Sequence, residues 1–314
     1  MQYLHQSKVM LLGSIFVGSV VMYLVPEKYL ITREERHDIS KMRNALSLAE
    51  RWFTIVAERK KEFGIYNPKG RLSYSALLGD EYSDFTTTLG SIEAKTTAAN
   101  PEFAPLFFRM LDDAGIDSGN VVGISLSGSF PSLSLNLLAA LQTIGANTVI
   151  FSSLGASSYG ANQPQATWVD IERWLCETGN LKYRSDYVTY GGEGDTGGGI
   201  SNEGLQMLDQ AVRRNGANFI MLSSYNDAVE KRVSLFRQKR IRLFINVGGN
   251  QTSLGRCSHS STIPNGYHNS LKSCLDDDRG VIVRMIESGI PVIHILNIRS
   301  LAATYGLPLI PDGV

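Results

Sequence analysis

From residue 120 onward, short apolar runs alternate with segments whose apolar residues recur at helical spacing. Strand–helix alternation with nearly continuous apolar strands is typical of a parallel sheet that helices cover on both faces. We therefore predict an α/β domain over 116–314, with a parallel, doubly wound, Rossmann-like sheet of about six strands. The predicted strands are 121–127, 148–154, 186–192, 219–224, 242–249 and 291–297, and the predicted helices are 131–144, 166–178, 201–214, 226–239 and 280–289.

An uncharged apolar run at 9–25 is closed by Pro26 and Glu27. At seventeen residues, this run lies at the short end of the range for a membrane-spanning helix. A cleaved signal peptide is the main alternative, because Lys8 gives the run a basic start. The run is long for the apolar part of a signal peptide, however, and no small-x-small cleavage site follows it. We predict a cytoplasmic tail and a single-pass transmembrane anchor over 1–31.

The orientation of this anchor depends on the basic residues at its two ends. Lys8 and the amino terminus favour a cytoplasmic N-terminus, whereas Lys28, Arg33 and Arg36 lie just beyond the run and argue the other way. We prefer the orientation that places the body outside the cytoplasm. The predicted location is therefore the inner (cytoplasmic) membrane, with a single pass and an extracytoplasmic body.

Between the anchor and the α/β domain, residues 32–115 form a predicted helical N-terminal segment. Apolar residues recur at three- and four-residue steps over 32–64, which predicts a long amphipathic helix. A second helix is predicted over 101–114, because Pro101 is well suited to a first helical turn. Residues 67–100, between the two helices, are predicted to form a structured loop.

The charge balance argues against nucleic acid as a partner. Thirty basic and thirty acidic residues cancel, so the chain lacks the basic footprint that nucleic-acid binding usually needs. Partners must therefore be inferred from local features.

The three cysteines indicate little about the redox compartment. Cys176 falls in a helical pattern and is predicted to be a buried thiol. Cys257 and Cys274 flank one long loop, and two interpretations stay open: a disulfide that closes the loop, or two unrelated free thiols.

The loop after the first predicted strand is the first candidate site. In an open parallel sheet, ligands bind beyond the carboxyl ends of the strands. Ser125, Ser127, Gly128 and Ser129 stand there before a helix, and hydroxyls with backbone N–H groups at a helix N-terminus suit an anion. The loop nearly matches the G-x-S-x-G nucleophile elbow, with serine in place of the last glycine, and it also resembles the phosphate loop of sugar isomerase domains. A serine-rich turn that only caps the helix is the third interpretation.

Three further loops at predicted strand ends are rich in small polar residues. The second runs over 152–162, the third is the glycine loop at 191–199, and the fourth runs over 246–255. Glycines allow a backbone to approach a ligand closely, and asparagine amides suit an oxyanion or a peptide-like ligand. In the glycine loop, Glu193 and Asp195 are the only charged residues. The candidate ligand-binding residues are Gly128, Ser129, Ser153, Ser157, Asn162, Gly197, Gly198, Asn246, Gly248, Gly249 and Asn250.

The chain also contains the residue order of an α/β-hydrolase triad. Ser125 or Ser127 comes first, Asp195 follows, and His259 or His268 comes last. These residues are candidate catalytic groups of a serine-dependent hydrolase. Metal-site spacings are absent from the sequence, and so is the G-x-x-x-x-G-K phosphate loop. No metal site is therefore predicted, and the cofactor stays unknown. The remaining His294 lies in an apolar strand and is predicted to be a core residue.

Six stretches of the sequence share a resemblance to one family: the N-terminal apolar run, 77–107, 123–136, 152–162, 194–201 and 246–255. Together they resemble the accessory protein of bacterial poly-γ-glutamate synthesis loci, the family called poly-gamma-glutamate system protein. The resemblance runs over most of the chain and assigns no catalytic residue. It implies a role beside the membrane synthase and export components that produce an anionic, γ-linked glutamate polymer for a capsule or for secretion at the cell envelope.

Three functional hypotheses therefore remain. The first is a membrane-anchored accessory factor in poly-γ-glutamate biosynthesis or export, with a crevice for an anionic or amide ligand at the strand ends. The second is a serine-dependent amidase or peptidase that acts on the γ-glutamyl polymer, and the third is a sugar-phosphate-binding domain. The sequence leaves open whether the protein is an enzyme.

Overall fold

The sheet has six strands in the order β3-β2-β1-β4-β6-β5. The computed structural model describes residues 38–66, 77–258, 260–271 and 278–309. Five strands are parallel, and β5 pairs antiparallel with β6 at one edge. The strands are β1 (Val121–Ser127), β2 (Asn147–Ser153), β3 (Tyr187–Thr189), β4 (Leu243–Val247), β5 (Gly266–His268) and β6 (Val292–Ile295). The predicted α/β class with a six-stranded, mostly parallel sheet is confirmed, and the antiparallel edge strand corrects the prediction of a wholly parallel sheet.

Ten α-helices lie within the described residues. All five helices predicted inside the α/β domain are confirmed, as is the helix predicted over 101–114. The helix predicted over 32–64 is confirmed for its described part, since 32–37 lie outside the described residues. The helices are α1 (Ile39–Glu62), α2 (Ile92–Ala98), α3 (Phe103–Asp113), α4 (Pro131–Ile144), α5 (Trp168–Glu177), α6 (Asn202–Asn215), α7 (Tyr225–Gln238), α8 (Gln251–Leu254), α9 (Val281–Glu287) and α10 (Ile298–Tyr305).

Two apolar cores cover the two faces of the sheet. On one face, the even-numbered residues of β1 pack in a cluster that also contains buried side chains of α1, α3, α4 and α5. On the other face, Val149, Phe151 and Phe244 pack against α7 and α9. The alternation follows from the two-residue period of a strand, which sends neighbouring side chains to opposite faces. The helical segment before the α/β domain therefore shares one core with the sheet.

The strand predicted at 219–224 is wrong. This segment makes a single parallel bridge, between Phe219 and Val188. Met221 is 67% exposed, and Ser224 already caps α7 by accepting a hydrogen bond from the N–H of Asp227. Because the middle of this run is exposed to solvent and its last residue is the N-cap of α7, the run does not form further strand pairs.

Two smaller corrections concern segment ends. The strand predicted at 186–192 ends at Thr189, because Gly191 and Gly192 adopt φ angles of +81° and +74° that begin a loop. The loop predicted at 67–100 contains α2, which Ser91 caps by accepting from the N–H of Ala94. Residues 67–76 of that loop lie outside the described residues.

The predicted anchor at 9–25, with the rest of 1–31, lies outside the described residues. No helix within the described part of the chain is long and apolar enough to cross a membrane. Cys176 is a free thiol whose pKa burial raises to about 11, and Cys257 is disulfide-bonded. Cys274 lies outside the described residues.

Candidate functional site

A cavity of about 550 Å³ opens beyond the carboxyl ends of the central strands. The chain moves from β1 to β2 and β3 on one side and continues through β4 on the other, so the strand order reverses between β1 and β4. This reversal is the position where open α/β sheets bind ligands. The loops after β1, β2, β3 and β4 form the wall, and residues 87–91 with the start of α2 complete it.

Ser127 and Ser129 form the part of the wall that follows β1. Ser127 Oγ donates to Ser129 Oγ over 3.0 Å and accepts from the N–H of Ser129 over 3.2 Å. Ser129 Oγ also accepts from the N–H of Ser157 over 3.0 Å. A hydroxyl has two acceptor positions and one proton. Because both acceptor positions of Ser129 are used, its proton is left to donate to a group in the cavity.

Lys95 is a cation in the wall that the sequence analysis did not select. Its side chain is buried, with 3% exposed, and its Nζ donates to Ser157 Oγ over 2.7 Å and to the backbone oxygen of Ser129. The same Nζ lies 3.9 Å from the centre of the Phe130 ring. Burial lowers the pKa of Lys95 to about 7, since desolvation disfavours the charged amine. No carboxylate in the described residues forms an ion pair with it.

The first turn of α4 adds to the positive character of this region. α4 begins at Pro131 with Phe130 as its N-cap, and no side chain caps the free amides there. Phe130 and Ser129 both line the cavity. Unpaired amides and the positive end of a helix dipole favour an anion at this position.

Ser153 and Asn250 line the cavity on the side of β2 and β4, and a buried carboxylate holds them. Ser153 Oγ donates to Asp195 Oδ1 over 2.7 Å and accepts from Asn250 Nδ2 over 2.8 Å. Thr189 Oγ1 and the Arg232 guanidinium also donate to Asp195, whose side chain is fully buried. The hydrogen-bonding capacity of Ser153 is therefore used within the protein, and its role is to fix the wall.

The glycine loop closes the third side of the cavity. Gly191, Gly192, Glu193, Gly198 and Gly199 line it, and Glu193 is exposed. A Cβ at Gly192 would lie 2.4 Å from the backbone oxygen of Gly198, so the two halves of the loop pack too closely for any side chain there. The loop thus has a fixed course although it consists mainly of glycine.

The structure brings seven of the predicted site residues into one wall. Ser127, Ser129, Ser153, Ser157, Gly198, Gly249 and Asn250 line the cavity. The other described candidates lie outside the wall: Ser125, Gly128, Asn162, Asp195, Gly197, Asn246 and Gly248.

The candidates outside the wall support it from behind. Asn162 donates to the backbone oxygen of Asp80 and so joins the loop after β2 to residues before α2. The N–H of Gly128 donates to the oxygen of Ser153 over 2.9 Å. Gly248, at φ +103°, passes so close to Ser127 that a Cβ on it would lie 2.9 Å from the Ser127 Cβ.

A row of polar side chains crosses the sheet behind the cavity. Ser125 of β1 lies opposite Asn246 of β4, which lies opposite His294 of β6. Asn246 Nδ2 lies 3.1 Å from His294 Nδ1 and donates to the oxygen of Gly248 over 2.8 Å. Burial lowers the pKa of His294 to about 4, in agreement with its predicted place in the core. Ser125 Oγ is buried without a hydrogen-bond partner among the described residues.

In the predicted Ser–Asp–His order, Ser127, Asp195 and His268 each form hydrogen bonds with residues outside that order. Asp195 pairs with Arg232 and with Ser153, while Ser127 donates its proton to Ser129. His268 Nε2 lies 2.8 Å from the backbone oxygen of Pro264. His259 lies outside the described residues.

Lys95 in the wall and Arg232 behind it are two residues that the sequence analysis did not select. Lys95 lies in the seven-residue helix α2, too short for an apolar period, and its contacts are with residues 34 and 62 positions away in the chain. Arg232 occupies a buried position of α7 that the helical pattern alone marks as apolar. Neither position carries a local signal that could have identified it.

No group of histidine, cysteine and acidic residues in the described ranges could hold a metal ion. Comparisons of the chain with protein-family models, with curated proteins and with solved structures gave no match.

Proposed function

We propose that the protein is a membrane-anchored accessory factor of poly-γ-glutamate production or export, and that its cavity binds a carboxylate of a γ-glutamyl ligand. The observation that carries the ligand assignment is Lys95, a buried amine that lines the cavity without a carboxylate partner in the described residues. The resemblance of the six sequence stretches supports the polymer class.

A carboxylate is the ligand group that best complements this wall. A buried ammonium costs several kcal/mol when no anion accompanies it, and a bound carboxylate offsets that cost. The Ser129 hydroxyl can donate to the same carboxylate, because its acceptor positions are already used. Ser157 Oγ accepts from Lys95 and keeps its own proton to donate. Charge-assisted hydrogen bonds from these groups are about twice as strong as neutral ones.

The membrane part of the proposal rests on the sequence. The uncharged run at 9–25 is the proposed single-pass anchor in the inner membrane, with the body outside the cytoplasm. The proposed partners are the membrane synthase and export components of the same polymer system.

Calorimetry on the full-length chain in detergent tests the binding proposal, with a γ-linked glutamate trimer as ligand. We expect tighter binding at pH 6 than at pH 8, because the pKa of Lys95 is lowered to about 7 and the carboxylate needs the charged amine. At pH 8, binding takes up a proton, which buffers of different ionisation enthalpy reveal. Lys95→Met removes the pH dependence and most of the affinity.

Lys60→Met is the matched control for that variant. Lys60 is also buried, its pKa is also lowered to about 7 by burial, and its Nζ donates to the backbone oxygen of Leu78, away from the cavity wall. Its replacement leaves trimer binding and proton uptake unchanged. Equal affinity at both pH values, or full affinity in Lys95→Met, contradicts the proposal.

Deletion of the gene in the producing cell tests the cellular role. With the synthase left intact, we expect less polymer at the surface, because the accessory factor acts during production or export. Polymer of unchanged amount, length and location would refute this role.

Hydrolysis of the γ-glutamyl amide bond is the second candidate function, favoured by the 2.7 Å contact between Lys95 Nζ and Ser157 Oγ. A lysine with a lowered pKa is a known activator of a serine nucleophile. Ser157 Oγ would form a bond to the amide carbon while its proton passes to Lys95, and Lys95 would return that proton to the departing nitrogen as the C–N bond breaks. Water would then hydrolyse the acyl ester.

The pH dependence separates the two candidates. Catalysis needs neutral Lys95, so kcat/KM for trimer cleavage would rise through about pH 7, whereas carboxylate binding weakens there. Ser157→Ala would abolish cleavage and fluorophosphonate labelling, while Ser125→Ala would retain both. Absence of cleavage by the wild-type chain, or labelling that persists in Ser157→Ala, removes the hydrolase.

The sugar-phosphate alternative depends on the turn at 125–129. Within this turn, Ser127 and Ser129 line the cavity, whereas Ser125 lies in the strand outside the wall. Fewer hydroxyls are therefore available for a phosphate than the resemblance implied. Thermal stabilisation of the full-length chain by phosphosugars, and none by the trimer, would favour this alternative.

A further inference from the structure

Among the described residues that line the cavity, one cation and one anion have no counter-ion. Among its described lining residues, Lys95 and Glu193 are the charged ones. Lys95 Nζ donates hydrogen bonds to two serine oxygens. Within the described residues, the Glu193 carboxylate takes part in no ion pair or hydrogen bond. The two groups belong to different loops and are not paired with each other. A site that contains two opposite charges, neither of them in an ion pair, is complementary to a ligand that carries both.

We propose that the cavity recognises the amino end of a γ-glutamyl chain, where an ammonium and a carboxylate share one carbon. The carboxylate lies on Lys95, Ser129 and Ser157, and the ammonium faces Glu193. This inference rests on the proposed function and narrows its ligand from the polymer in general to one end of it.

The chemistry of the γ linkage sets this end apart. Each linkage uses the γ-carboxyl of one residue and the α-amine of the next, so every residue keeps its α-carboxylate. Only the first residue also keeps a charged α-amine. A wall for the polymer interior would need several cations, as polyanion sites do, and would gain nothing from a carboxylate. The single buried cation and the exposed Glu193 fit the first residue better.

The size and the apolar part of the cavity agree with a chain end. About 550 Å³ lies within the range of roughly 300–1,000 Å³ that is usual for small-molecule pockets. Leu89, Phe130 and Leu296 also line it. These side chains offer contact to the methylene groups that separate the two carboxyl positions of a glutamyl unit.

The test compares two γ-linked glutamate trimers, one with a free amino end and one with an acetylated amino end. Calorimetry with the full-length chain at pH 6 measures both. We expect acetylation to weaken binding by up to about fivefold, which is the upper end of what an exposed ion pair contributes. In Glu193→Gln, the free trimer should bind with the lowered affinity of the acetylated one, so the difference between the ligands disappears.

Glu203→Gln is the matched control, since Glu203 is an exposed glutamate of α6 outside the cavity wall. It should keep the full preference for the free amino end. Equal affinity of the wild-type chain for the two trimers overturns this inference and leaves the carboxylate-binding proposal in place. A preference that persists in Glu193→Gln also overturns it. Failure of both trimers to bind overturns the proposed function as well.

Discussion

Ser153 Oγ lies 2.7 Å from Asp195 Oδ1, and this contact ties the end of β2 to the glycine loop. Asp195 has a φ angle of +65°, which is unusual for a residue other than glycine. Its carboxylate is fully buried and also accepts from Thr189 and Arg232. The cavity wall therefore depends on an ion pair that lies behind it and that has no access to the ligand.

Arg232→Met should destabilise the protein by about 3–5 kcal/mol, because it leaves the Asp195 carboxylate buried without its cation. The double variant Arg232→Met with Asp195→Asn should cost less than the sum of the two single variants, since it removes the unpaired charge. Denaturant unfolding of the four proteins measures both effects.

The control for Arg232 lies on the same helix. Arg237 is exposed and its guanidinium donates to Ser288 Oγ. Arg237→Met should change stability by no more than about 1 kcal/mol. An equal loss of unfolding free energy in Arg232→Met and Arg237→Met would show that the buried ion pair contributes no more to stability than the exposed contact does.

The stability difference between wild type and Lys95→Met should depend on pH in a defined direction. Burial lowers the pKa of Lys95 from 10.5 to about 7, so between these values the unfolded chain binds a proton that the folded chain does not. The wild type therefore gains stability as pH rises from 7 towards 10.5, by up to about 1.4 kcal/mol per pH unit, and the variant lacks this gain. Urea unfolding at pH 7, 8 and 9 measures it.

Lys60→Met should show the same pH-dependent difference, because burial lowers the pKa of Lys60 to a similar value. Lys60→Met and Lys95→Met should therefore show the same pH dependence of stability, but only Lys95→Met should lose ligand binding. This comparison separates the effect of burying a lysine from the effect of its position in the cavity. A difference that stays constant with pH would mean that folded Lys95 keeps its ordinary pKa.

Gly192→Ala and Gly199→Ala should both destabilise the glycine loop, but by different amounts. Both residues have positive φ, at +74° and +80°, which costs an alanine about 1–2 kcal/mol. A Cβ at Gly192 would also lie 2.4 Å from the oxygen of Gly198, whereas nothing lies within 4 Å of one at Gly199. We expect Gly192→Ala to cost about 1–3 kcal/mol more. Equal melting temperatures of the two variants would contradict the close packing of the loop.

The sequence predicted the helices better than the strands for a physical reason. α4 was predicted with its observed ends, because Pro131 begins it and Gly145 ends it in the left-handed conformation. The apolar run at 219–224 looks like a buried strand by composition alone. Its exposure is a tertiary property that local sequence does not encode, whereas the Ser224 cap of α7 is a local signal that limits the run.

The same limit applies to the candidate site. The position of the cavity followed from the carboxyl-end rule, and serines 127, 129, 153 and 157 were predicted from the polar loops. Lys95 could not be predicted, since its place depends on how α2 packs against the loops after β1 and β2. Asp195 was assigned to chemistry, but its partner Arg232 lies 37 residues further along the chain, so its structural role could not be deduced from order alone.

Compared with the wild type, Glu172→Gln should have a free energy of unfolding that becomes higher as the pH rises from 5 to 7. Glu172 is buried on α5, and burial raises the pKa of its carboxyl to about 7 even though the N–H and Oγ of Ser185 donate to it over 3.2 and 2.7 Å. Between pH 4.5 and 7, the folded chain therefore holds a proton that the unfolded chain has released. The wild type loses stability as pH rises through this window, by up to about 1.4 kcal/mol per pH unit.

Glutamine keeps the shape of Glu172 and cannot ionise, so the variant should lack this loss. Subtracting the wild-type free energy of unfolding from that of the variant at pH 5, 6 and 7 cancels every other titrating group, including His294, whose contribution to stability changes in the opposite direction. The difference should grow in favour of the variant with each step. A difference that is flat over this range would mean that buried Glu172 ionises as it does in the unfolded chain, and that the hydrogen bonds from Ser185 offset its desolvation completely.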